Sequence, residues 1–71
     1  MLRLRVKEVL KDRGLSQGYL SRESKVPINL ISRMVNDKDY MPSSATLYKV
    51  AQTLKMHMED LLYEDNSDEQ K

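Results

Sequence analysis

Residues 16–36, SQGYLSRESKVPINLISRMVN, decide the fold. Ser16 is a good N-cap, because its hydroxyl accepts from backbone N–H groups that the first helical turn leaves without partners. Leu15 before it and Leu20 four residues after it stand at the N′ and N4 positions of a hydrophobic staple. The helix they open runs to about Ser24. Pro27 cannot sit inside a helix, but its fixed φ suits a helix start. The break therefore falls at Lys25–Val26, and the next helix spans 27–35. Asn36, Asp37, Lys38 and Asp39 follow as loop formers. Two short helices joined by about three residues predict a helix-turn-helix arrangement.

The flanks extend the pattern. Upstream, Leu2, Val6, Val9 and Leu10 fall at i, i+4, i+7 and i+8, one apolar stripe that predicts a helix over 2–13. Arg13 in its last turn suits the helix dipole, and Gly14 supplies a left-handed C′ residue. Downstream, Pro42 and Ser43 open a fourth helix with Leu47, Val50, Ala51 and Leu54 at i, i+3, i+4 and i+7. Lys55–His57 reads as a joint, with His57 at the N-cap of a fifth, short helix, Met58 to Tyr63, in which Leu61 points inward. Residues 64–71 hold four acids and one base without an apolar anchor, which predicts a disordered acidic tail. The expected architecture is all-α, a five-helix domain over 1–63 followed by that tail.

Composition bounds the chemistry. Seventy-one residues make one small domain. No cysteine means no disulfide and no thiolate zinc site, and His57 is the one histidine, so no metal or cofactor is expected. Hydrophobic residues at 39% against 32% charged suit a folded domain rather than a disordered chain. No apolar run approaches the roughly 20 residues a membrane span needs, and MLRLRVKEVL lacks the apolar region of a signal peptide, so the cytoplasm is the expected compartment. The acids sit in loops and in the tail, the histidine has no evident partner, and a domain of this size has little room for a cleft of roughly several hundred Å³, all of which argue against an enzyme. The net charge of +1 hides an asymmetry: without Glu64–Lys71 the remainder carries 11 bases and 7 acids, a net of +4, which hints at a polyanionic partner.

The set Leu10, Gly14, Leu15-Ser16-Gln17, Leu20, Ser24, Val26, Ile31-Ser32-Arg33, Asn36, Lys38, Pro42, Leu47, Ala51, Leu54 and Glu59-Asp60-Leu61 stands in one register without insertion. In this set the chain resembles the lambda-Cro/C1-type (XRE-like) helix-turn-helix repressors over residues 2–63. The resemblance implies a sequence-specific regulator of double-stranded DNA with its 27–35 helix in the major groove. It implies Gln17 at a phosphate or flanking base, Asn29 on adenine, Arg33 on guanine and Ile28 on a thymine methyl, with Ser32 at the edge of that face. Asn36 and Lys38 would touch phosphates, Asn36 equally serving as a helix C-cap. It also implies a homodimer, with recognition helices about 34 Å apart, and the final helix with the end of the fourth (Met56, Met58, Leu62 and Tyr63) supplies the candidate self-contact.

Several positions depart from the family pattern, among them Tyr40, Met41 and Ser43, where many relatives carry extra bases, and Leu10 and Val35, where many carry an Arg–Glu pair. Lys25 stands where glycine usually takes φ > 0, Ser21 where alanine usually packs, Pro27 at an N-cap usually Ser or Thr, and Asp37 at another common glycine. Ser21 is expected to be tolerated, because serine is little larger than alanine and its hydroxyl can bond the carbonyl four residues back. The thinned charge, with Ile28 and Leu30, leaves a second reading: an antitoxin or transcriptional adaptor acting through protein contacts with a toxin or a transcription complex.

Overall fold

The computed structural model describes residues 2–37 and 39–65. Strand β1 (Leu2–Leu4) leads into α1 (Val6–Arg13), α2 (Gln17–Ser24), α3 (Ile28–Asn36) and α4 (Ser44–Thr53). A 3-10 turn (Met58–Leu61) and strand β2 (Leu62–Glu64) close the domain. Among the described residues there are thus four α-helices where five were expected.

Both corrections lie at the chain ends. The first residues are a strand because Leu2-Arg3-Leu4-Arg5 alternates with period 2, and the helical stripe through Leu2 was fortuitous. β1 and β2 pair antiparallel, with Leu2 opposite Glu64, Arg3 opposite Tyr63 and Leu4 opposite Leu62. Arg5 N–H extends the ladder by donating to Leu61 O at 2.7 Å. At the other end, the segment after His57 is too short to hold an α-helix unaided. It makes one 3-10 turn, in which Asp60 N–H donates to His57 O at 3.0 Å, and Leu62 then turns extended. His57 is the N-cap of that turn, as expected, without a side-chain cap bond.

Glu64, expected in the tail, lies in β2, and Asp65 accepts from Arg3 Nε at 2.9 Å. The folded region therefore passes the expected boundary at Tyr63. The rest of the expected tail, 66–71, lies outside the described residues.

Arg3 faces away from Leu4 and is buried. Its Nη1 donates to Asp39 at 2.6 Å, so one guanidinium joins β1, the α3–α4 loop and the residue after β2. Asp39 first, and Asp65 second, push the Arg3 pKa upward and keep it charged.

The core is assembled from the expected faces. Val6 and Leu10 of α1, Leu20 of α2, Val26 of the turn, Ile31 and Met34 of α3, Leu47, Val50 and Ala51 of α4, then Leu54 and Leu61, are buried together. Val35 packs on this core, in which Leu10 is buried. α1 ends in a Schellman motif: Gly14 has φ 66, its N–H reaches Lys11 O, and Leu15 N–H reaches Leu10 O at 2.9 Å. α4 ends the same way, with Lys55 (φ 58) at the left-handed position and Met56 N–H on Ala51 O. Arg13 Nη1 donates to Leu54 O, tying the end of α1 to the end of α4.

Candidate nucleic-acid interface

Helix α2 opens as its sequence demands: Ser16 Oγ accepts from Tyr19 N–H at 3.0 Å, and Leu15 packs on the core with Leu20. Gln17, half-buried, is its first residue. The turn that follows keeps the family's left-handed residue although a lysine supplies it, with Lys25 at φ 64. Two hydroxyls hold the turn. Ser21 Oγ donates to Val26 O at 2.6 Å, and Val26 N–H donates to Ser24 Oγ at 3.3 Å. The Ser21 hydroxyl thus bonds across the turn rather than to the carbonyl four residues back, which fastens α2 to the start of α3.

Pro27 is the N-cap of α3, so the helix begins one residue later than expected and ends at Asn36. No side chain caps it. Its two faces separate cleanly: Ile31 and Met34 are buried and Leu30 and Val35 pack on the core. Ile28, Asn29, Ser32, Arg33 and Asn36, at i, i+1, i+4, i+5 and i+8, share the opposite face. Ile28, Asn29, Arg33 and Asn36 are exposed there and Ser32 is half-buried.

Within that face the structure brings together two groups. Asn36 Nδ2 donates to Ser32 Oγ at 3.1 Å. Asn36 is not the C-cap, a place taken by Asp37, whose N–H donates to Arg33 O at 2.9 Å. Arg33 lies over the ring of Tyr40, its Cζ 4.4 Å from the ring centroid, and its Nη2 is 3.9 Å from Asp37 Oδ2. Asp37 places a carboxylate at the negative end of the α3 dipole, an unfavourable site that the Arg33 charge offsets. Lys38 lies outside the described residues. The sequence marks Tyr40 only as a position without the base that many relatives carry there, and Arg3 was missed as part of this region. Tyr40 reaches α3 across a loop, where helical spacing carries no signal. Arg3 is betrayed only by the Leu-Arg alternation.

The Helix-turn-helix family model matches residues 6–61. The chain belongs to the Cro/C1-type helix-turn-helix family. The crystal structure of a candidate DNA-binding protein from Bacteroides fragilis superposes on this helix-turn-helix chain with a TM-score of 0.75 at 28% identity, over 89% of this chain and all of that one. No curated protein matches the chain. In this helix-turn-helix domain α2 and α3, with their turn at Lys25–Pro27, are the motif. No helix among the described residues is long and apolar enough to cross a membrane.

An open groove of about 610 Å³ lies apart from this face, lined by Tyr48, Gln52, Lys55, Met56, Met58 and Glu59, among others. The domain therefore has room for a cleft that its size argued against.

Proposed function

We propose that this helix-turn-helix domain is a non-catalytic, sequence-specific regulator of transcription, acting as a repressor on double-stranded DNA. One observation carries the proposal: α3 buries its whole inner face and offers Ile28, Asn29, Ser32, Arg33 and Asn36 together on the outer one. The polar members are donors and acceptors of the kind that read base edges, Arg33 for guanine and Asn29 for adenine. Gln17 at the start of α2 and Asn36 at the end of α3 flank that face where phosphates would run, and Lys38 joins them by sequence. Selection of preferred duplexes from a randomised pool, followed by mobility shifts over a salt series, tests this reading. A preferred site bound at least about 10³-fold better than random duplex is the expected outcome. Equal binding of both rejects sequence-specific regulation.

The domain acts as a homodimer, because one recognition helix gives too few base contacts to stand out against genomic DNA. The groove beside α4 is the surface that suits the self-contact. It is apolar at Tyr48, Met56 and Met58, and it carries Lys55 near Glu59 and Asp60, charges that a two-fold axis pairs reciprocally. Of the expected dimer surface, Leu62 and Tyr63 lie in β2, where Leu62 packs on the core and Tyr63 is half-buried. The adaptor or antitoxin reading keeps one supporting observation: Ile28 is 50% exposed, as a residue meeting a protein partner would be.

A further inference from the structure

We infer that Tyr40 is a specificity-determining positioning residue, whose ring holds the Arg33 guanidinium flat on the outer face of α3 in the attitude that reads a guanine edge. The inference rests on α3 being the DNA-reading helix and goes beyond it, because Tyr40 lies outside the motif.

The geometry is direct. Arg33 Cζ stands 4.4 Å from the Tyr40 centroid, nearer than Arg5 to Tyr63 (5.0 Å) or Arg22 to Tyr19 (6.0 Å). Stacking occupies the face of a guanidinium and leaves its N–H donors in the plane, at the edge. A bidentate bond to guanine O6 and N7 uses donors of that edge. The arginine is therefore restrained in its rotamer without losing the groups that read the base, and less side-chain freedom remains to be lost on binding.

The platform itself is fixed from three sides. Tyr40 is half-buried against the core. Its N–H donates to Asp37 O at 3.1 Å, and Asp39 N–H donates to Asp37 Oδ1 at 3.1 Å, which closes the loop on itself. Asp39 is also gripped by buried Arg3. The Asp37 carboxylate, 3.9 Å from Arg33 Nη2, adds a charge attraction that helps keep the guanidinium in place.

The test compares the full chain with Arg33→Ala, Tyr40→Phe and Tyr40→Leu. A duplex selected by the unaltered protein is measured by fluorescence anisotropy at one salt concentration, beside a copy changed at the base pair where Arg33→Ala loses preference, and beside random duplex. A bidentate contact supplies roughly 5- to 150-fold discrimination. Tyr40→Phe should retain it, whereas Tyr40→Leu should lose about five- to tenfold at that base pair alone, with affinity for random duplex unchanged. Full discrimination in Tyr40→Leu, or equal loss on selected and random duplex, overturns the inference while leaving the reading of α3 intact. No change in preference in Arg33→Ala rejects Arg33 as a base reader, and the role of Tyr40 with it. A second readout needs no DNA. The Arg33 side-chain proton resonances should carry an upfield ring-current shift in the unaltered protein and in Tyr40→Phe, and lose it in Tyr40→Leu. Unshifted Arg33 resonances in the unaltered protein overturn the inference.

Discussion

Arg33 and Asp37 show how two residues one helical turn apart set opposite demands on a DNA surface. Arg33→Ala should cost about 1–3 kcal/mol on the preferred duplex and relax preference at one base pair, with little effect on random duplex. Competition binding with singly substituted duplexes reads this directly, and equal losses on all sequences would make Arg33 a phosphate contact. Asp37→Asn should act in the other direction, raising affinity for random duplex at low salt, with the gain fading as salt is added. No gain at low salt would show that Asp37 does not face the nucleic acid. The outward position of Arg33 was legible in the sequence because α3 keeps a strict apolar spacing on its other face. Its stacking on Tyr40 was not, because that contact depends on how a loop folds back.

The turn between α2 and α3 is the element in which the sequence departs most from its family, and the structure shows what compensates. A lysine in the left-handed region costs about 1 kcal/mol against glycine, yet Lys25 keeps that conformation at φ 64. Lys25→Gly should therefore raise stability by up to about 1 kcal/mol in a denaturant melt, and a loss would mean that the lysine side chain contributes to the turn. Ser21→Ala should lower it by about 1 kcal/mol, because Val26 O then loses its hydroxyl partner. An unchanged midpoint would show that water replaces the hydroxyl. The same contrast governs the terminal elements. Helices α1 to α4 were legible because caps, staples and apolar spacing agreed, as at Ser16, Ser43 and Gly14. The β1–β2 pair was not, because a three-residue strand is specified by a partner some 60 positions away rather than by its own letters.

For the whole molecule, the two ends of the described chain and the α3–α4 loop meet at one arginine. Truncation after Tyr63 removes Asp65 and part of β2, leaving buried Arg3 with one of its two described carboxylates. The truncated chain should melt at a lower temperature than the full chain, where a disordered acidic tail would have made the cut neutral. Calorimetry of the two chains checks this, and coincident transitions would contradict the role of Asp65. Assembly is tested at the groove. Tyr48→Glu should abolish self-association in sedimentation while helical content stays, because Tyr48 is 53% exposed and its loss empties no core. A dimer that survives Tyr48→Glu places the self-contact elsewhere. Whether the outer face of α3 reads sequence is decided by the affinity of the full chain and of Arg33→Ala for a selected duplex and for random duplex, across a salt series. The prediction is a strong preference that persists as salt rises and collapses in Arg33→Ala. Affinity that is the same for both duplexes at every salt concentration, with or without Arg33, would contradict it.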